Sequence, residues 1–223
     1  LKQASLVWYK RLSAFLTLIG FQTTLSDPCV FHRMEAANRP ATWIFAHVDD
    51  LVVISQDPLV FRDEIQKEFN IKYLGNAEFL LSMNIDRAPD SLHVHQTQYI
   101  ERKLLEFGLE RLPPSTCPIN PKQHMQKASS SEMDEFKKLD VNYRALVGSL
   151  NYLSVLTQPD ISYAVSVLSQ HLENPGIKHY QAAVQVFWYL AGTKHVGLLF
   201  VKEEQLAISA YVDADWGNFP DTR

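Results

Sequence analysis

Two apolar runs, Thr42-Trp-Ile-Phe-Ala-His-Val48 and Leu51-Val-Val-Ile54, are separated by nothing but Asp49 and Asp50. Both runs are short and rich in β-branched and aromatic residues, so they read as strands folded back on one another with the acidic pair at the tip of a tight hairpin. That feature commits the chain to an antiparallel sheet. A turn chosen for geometry alone would carry Asn-Gly or Asp-Gly, because the common two-residue hairpin turns need positive φ. Asp-Asp puts charge where the backbone prefers glycine. At ordinary effective dielectrics such close like charges repel by roughly a few kcal/mol, a cost that a divalent cation removes. The pair therefore reads either as a metal-binding turn or as a solvated acidic one.

The surrounding pattern gives this hairpin a small α+β setting. From Leu6 to Ile19, apolar residues at Tyr9, Leu12, Leu16 and Ile19 follow a helical stripe that Gly20 stops. Cys29-Val-Phe31 is a strand leading to the pair. Asp57-Pro58 is an N-cap with proline at the first helical position, opening a helix that buries Phe61, Ile65 and Phe69. Glu78 to Ile85 and the alternating Leu92-His-Val-His95 make a second hairpin across Ala88-Pro-Asp-Ser91, and a helix follows from Gln96 to Phe107. Prolines at 113, 114, 118 and 121 then mark a linker between Leu112 and Ala128. Beyond Ser129 the pattern is helical: Tyr143 to Leu153, Asp160 to Leu172 and Lys178 to Ala191, punctuated by Asn174-Pro-Gly176 and Gly192. Two strands, Val196 to Val201 and Ala207 to Asp213, close the chain around the charged turn Lys202-Glu-Glu-Gln205.

Composition narrows the function classes. A 223-residue chain with 46% hydrophobic content can bury a sizeable core. No apolar stretch approaches bilayer-spanning length and no signal-like N-terminus is visible, so an intracellular protein without a membrane partner, cytoplasmic or nuclear, is expected. Cys29 and Cys117 have no metal-ligand spacing and read as reduced thiols. A net charge of −4 supplies no global pull toward nucleic acid. There is no glycine-rich phosphate loop and no serine or cysteine nucleophile in a recognisable context. The first residues, Leu1-Lys2-Gln3, and the last, Asp221-Thr-Arg223, look cut from something longer.

Several motifs, in order, resemble the reverse transcriptase region of copia-type retrotransposon Pol polyproteins. They are Leu1-Lys-Gln-Ala4 with Trp8-Tyr9, Gly20-Phe21 with Ser26-Asp-Pro-Cys29, His47-Val-Asp-Asp50, Tyr73-Leu-Gly75, and Gln98-Tyr99-Ile100. Tyr143-Arg144 with Leu146-Val-Gly-Ser-Leu150, Gln158-Pro-Asp-Ile161, Tyr189-Leu190 with Gly192-Thr193, and Tyr211-Val-Asp-Ala-Asp-Trp216 continue the series. The resemblance implies a partial right-hand polymerase palm over 1–95, a thumb helix and proline-rich linker over 96–128, a helical connection region over 129–195, and the truncated start of an RNase H-like domain over 196–223. It places Asp49 and Asp50 at the family's catalytic aspartate pair, holding Mg²⁺ or Mn²⁺ for two-metal nucleotidyl transfer. Asp49 is the direct ligand and Asp50 the supporting one. Lys2 and Gln3 fall in the family's nucleotide-binding helix segment. Lys72 falls in a loop where such polymerases place a lysine able to protonate pyrophosphate. Asp213 matches the first metal ligand of the RNase H site. RNA template, DNA primer and dNTP are the implied partners, with the missing palm, fingers and nuclease segments of the polyprotein.

The chain also departs from that pattern. The family's third metal-binding aspartate, from an earlier palm strand, has no counterpart between Leu1 and Val48: Asp27 lies in the Ser-Asp-Pro-Cys turn and Glu35 in a loop. Two carboxylates from one hairpin cannot enclose two cations. His47 replaces a tyrosine, Ser5 a proline and Ser82 a glycine of the primer-gripping hairpin, and Trp188 lies near a usual arginine. The expectation is a polymerase segment that is inactive alone. The alternative is a degenerate or co-opted non-catalytic fragment that binds nucleic acid or protein.

Overall fold

A computed structural model describes residues 2–36, 39–111, 113–120, 125–202 and 209–212. The fold is mixed, with two antiparallel sheets and seven α-helices among the described residues. It divides by packing into two units, Leu1–Ala77 and Glu78–Arg223. No helix among the described residues is long and apolar enough to cross a membrane.

Unit 1 opens with α1 (Lys2–Leu18). Its stripe behaves as the spacing predicts: Leu12 and Leu16 are fully buried, while Tyr9, Phe15 and Ile19 pack half-buried against the same core. Gly20, at φ +95°, ends the helix by turning left-handed, so that Phe21 N–H donates to Leu16 O at 2.9 Å and Gly20 N–H to Thr17 O at 3.0 Å. Four antiparallel strands follow in sequential order: β1 (Gln22–Thr23), β2 (Val30–Arg33), β3 (Thr42–His47) and β4 (Asp50–Ser55). Along β3 Thr42, Ile44 and Ala46 are buried while Trp43 and His47 are exposed, the alternation of a one-sided sheet. Asp57 caps α2 (Pro58–Ile65), its carboxylate accepting Leu59 N–H at 3.0 Å, and Phe61 and Ile65 complete the core with Phe31 and Ile44.

Unit 2 differs from the sequence reading in three ways. The second hairpin does not extend the sheet that carries the acidic pair. It forms its own sheet, β5 (Phe79–Leu80), β6 (Met83–Ala88), β7 (Ser91–His95) and, last in the chain, β8 (Gly197–Val201). Nor does β8 stand apart as the first strand of a separate hairpin. It pairs with β7 along its whole length, because a side chain at Gly197 would lie 2.3 Å from Val94 O and only glycine lets the backbones approach. Of the expected partner strand, residues 209–212 are irregular and the rest lies outside the described residues.

The third difference is the proline-rich segment, which is a strap rather than a linker. Ser115 N–H donates to Trp188 O at 3.1 Å, Gln185 Nε2 donates to Cys117 O at 3.2 Å, and Ile119 is buried. The described part of the segment is irregular, tied to the last helix through Ser115 and Cys117, with Ile119 in the hydrophobic core of the unit. One core joins α3 (Thr97–Glu106) to α5 (Tyr143–Leu156), α6 (Ser162–Ser169) and α7 (Ile177–Thr193), with α4 (Ser130–Lys137) packed on α7. Ile100, Leu150, Leu153, Ile161, Leu168, Phe187 and Leu190 are all fully buried in it. The helix expected over Asp160 to Leu172 is a short 3₁₀ turn, Pro159–Ile161, followed by the shorter α6. Both cysteines are free thiols.

Two local features carry predictions. Leu81 and Ser82 connect β5 to β6 with φ of +49° and +59°, the double positive φ for which Asn-Gly is preferred. Ser82→Gly is expected to raise unit 2 stability by about 0.5–1 kcal/mol, because the left-handed cost outweighs the entropy glycine loses. A urea midpoint that falls instead would refute this. The second feature is His179. Burial, then the His171 ring stacked 3.9 Å away, hold its imidazole below the ordinary pKa. The neutral ring fits its bonds: Nδ1 accepts Gly176 N–H at 2.9 Å and Nε2–H donates to Gln126 O at 3.0 Å. With the folded pKa depressed, this stability is complete above about pH 6.5 and is lost as pH falls through the folded value. His179→Asn should therefore be less stable near neutrality yet lose stability less steeply on acidification, measured as urea midpoints across the acid range.

Candidate catalytic turn

The acidic pair does sit at a hairpin end, but the register moves the tip by one residue. His47 pairs with Asp50, so the two connecting residues are Val48 and Asp49, and Asp50 is the first residue of β4. The positive φ falls on Val48, at +53°. A β-branched residue there is strained, and such strain persists only where the surroundings enforce it. Here the enforcing group is Trp8: its indole N–H donates to Val48 O at 2.7 Å, tying α1 to the tip.

Both carboxylates are exposed, and neither takes a hydrogen bond or ion pair with a described residue. Two adjacent, unengaged oxygen donors suit a hard cation that keeps several waters and shares phosphate oxygens, which is the coordination habit of Mg²⁺. His47 is exposed beside Phe45, their ring centroids 6.3 Å apart.

Trp8 also organises the neighbouring candidates. The Trp8 and Phe15 rings both meet Phe69 edge-to-face, with centroids 5.2 and 5.3 Å away. Lys72, three residues beyond Phe69, is exposed in an irregular stretch, so its Cα lies within about 10 Å of that of Phe69. Lys2 and Gln3 open α1, their side chains lying outside the described residues, as does Asp213. One tryptophan thus links the acidic tip, the helix carrying Lys2 and Gln3, and the segment leading to Lys72. In the sequence Trp8 stands out only as part of the Trp8-Tyr9 motif. Trp8 lies four residues before Leu12, on the stripe that Leu12 and Leu16 continue, so its spacing marks it as a core residue and gives no sign that it also holds the tip.

An antiparallel sheet thus presents two adjacent exposed carboxylates at a strained tip, clasped by the preceding helix. The chain belongs to the reverse transcriptase (RNA-dependent DNA polymerase) family, whose profile matches residues 1–121. It is 33% identical, over 99% of its length, to the Retrovirus-related Pol polyprotein from transposon RE1 of Arabidopsis thaliana, and 33% identical over its whole length to that from transposon TNT 1-94 of Nicotiana tabacum. The copia-type resemblance read from the motifs is thereby established along the whole chain. The chain spans only 15% and 17% of those two relatives. An uncharacterized mitochondrial protein of Arabidopsis thaliana is 29% identical over 81% of this chain and 74% of its own length. No solved structure matches the chain.

Proposed function

We propose that this chain is the catalytic-turn segment of an RNA-directed DNA polymerase, acting on an RNA template, a DNA primer and dNTP within the intact polyprotein. The observation that carries the reading is the pair of unengaged carboxylates at a tip held by Trp8. Magnesium or manganese bound there would supply charge stabilisation at the triphosphate and a more acidic primer hydroxyl. Asp49, in the turn itself, is the direct ligand. Asp50, anchored in the β4 register, adds charge and orientation. Trp8 restrains the tip so that the donors need not reorganise when charge develops. Lys72 supplies a proton to the departing pyrophosphate, and Lys2 and Gln3 contact the template or incoming nucleotide. No acid between Leu1 and Val48 matches the family's third metal-binding aspartate, which another segment of the polyprotein would supply. The palm, thumb, connection and RNase H divisions remain functional assignments carried by the resemblance, distinct from the two packing units.

The alternative, a non-catalytic fragment that binds nucleic acid or protein, is favoured by one detail: Ser82 occupies a left-handed position where the family resemblance leads one to expect glycine. Primer extension on an RNA template separates the readings. The intact polymerase containing this segment is expected to synthesise DNA with magnesium, and residues 1–223 alone to synthesise none. Synthesis by residues 1–223 would overturn the shared site, and inactivity of the intact polymerase would favour the binding module.

A further inference from the structure

Unit 2 carries a second constellation, unrelated to the acidic tip. On β7, His93 and His95 are two residues apart and so share one face of the sheet, and Asp86 on β6 pairs directly with His93. Both imidazoles approach the same carboxylate oxygen. Asp86 Oδ2 lies 3.1 Å from His95 Nε2 and 3.9 Å from His93 Nδ1, and the three donor atoms all lie within 4.8 Å of one another. Donors around a tetrahedral metal with bonds of about 2.0–2.1 Å sit about 3.3 Å apart. The observed separations bracket that figure, and small side-chain rotations close the difference.

The hydrogen bonds around His95 define what its free nitrogen can do. Thr97 Oγ1 donates to Lys194 O at 2.8 Å and lies 2.6 Å from His95 Nδ1, and the Thr97 backbone N–H also points at that nitrogen, at 3.4 Å. Thr97 thereby fixes the His95 ring and leaves Nε2 facing Asp86, the kind of outer contact that orients a metal-binding histidine. A divalent ion at this point would serve both imidazoles and the carboxylate together. On the same face, directly opposite His95, the Asn84 Oδ1 is buried without a hydrogen-bond partner. Asp86 itself is exposed, leaving an entry path.

We propose that Asp86, His93 and His95 form a binding site for a divalent transition-metal ion, with zinc as the ion of choice and solvent completing the shell. Two imidazole nitrogens and one carboxylate oxygen suit zinc, cobalt or nickel and discriminate against magnesium. The site staples β6 to β7 at the end of the sheet where β8 and the Lys194 carbonyl also converge.

Isothermal titration of the full chain with zinc chloride near neutral pH tests this. The expected result is one zinc bound per chain at this site, with affinity reduced about tenfold or more in Asp86→Asn and in His93→Gln. Both substitutions fall on side chains outside the core, and unchanged far-UV circular dichroism would confirm that the fold is kept. Cobalt(II) added in place of zinc should give visible d–d absorption that Asp86→Asn abolishes. No zinc uptake, or equal affinity in wild type and both variants, would overturn the site and leave His95 and Asp86 as a plain ion pair.

Discussion

Asp49→Asn in the intact polymerase is expected to lower the rate of nucleotide incorporation by about 10³-fold or more, which is about 4 kcal/mol of transition-state stabilisation. Asparagine keeps the size of the side chain and one oxygen but removes the charge that a divalent cation needs. The fold should not change, because the Asp49 carboxylate is exposed and bonds to no described residue. Asp50→Asn should cost far less, about tenfold, since Asp50 begins β4 and its proposed role is supporting. Single-turnover primer extension with each variant measures both effects. Equal losses would dissolve the proposed division between the two residues, and full activity of Asp49→Asn would remove the turn from catalysis altogether.

Glu64→Ala is expected to destabilise unit 1 by about 3–5 kcal/mol, a large part of what a domain of this size possesses. The reason is Arg33. Its guanidinium is buried, 2.9 Å from Glu64 Oε2, donates to Ile19 O at 3.1 Å, and lies 4.5 Å from the Phe21 ring centroid. The two side chains are only 6% and 14% exposed, so water cannot replace the lost carboxylate. Arg33 Nε and Nη2 already have no hydrogen-bond partner, which leaves the ion pair as the main compensation for the buried charge. Arg39 shares the same carboxylate at 3.2 Å but is half-exposed and can turn to solvent. Urea denaturation of the single variant and of Arg33→Met/Glu64→Leu tests the account. The double variant should recover most of the loss, because it removes both charges and keeps apolar volume. An unstable double variant with a stable Glu64→Ala would mean that Arg33 acts through packing instead.

Much of this was legible in the chain. The Leu12–Leu16 stripe, the Gly20 stop, the Asp57-Pro58 start and the β3–β4 hairpin are local signals, each set by residues a few positions apart. Ser129-x-x-Glu132 was equally local, a capping box in which Ser129 N–H donates to Glu132 at 2.9 Å, and it was overlooked as the start of α4. The candidate site was legible as residue types: an acidic pair between strands is visible without coordinates. Its exact tip was not, because one residue of register shifts the turn from Asp49-Asp50 to Val48-Asp49 without altering the apolar pattern.

What the sequence determined by itself was therefore the helices, the hairpins and the family, since periodicity, caps and ordered motifs are written in neighbouring residues. Tertiary structure alone decided which strands share a sheet, that the proline-rich stretch docks on α7, and that Trp8 clasps the tip. Those outcomes depend on partners distant in the chain, such as Trp8 with Val48 at forty residues and Thr97 with Lys194 at ninety-seven. Such pairings are chosen by close packing and by satisfying buried polar groups, and neither is encoded in a local pattern.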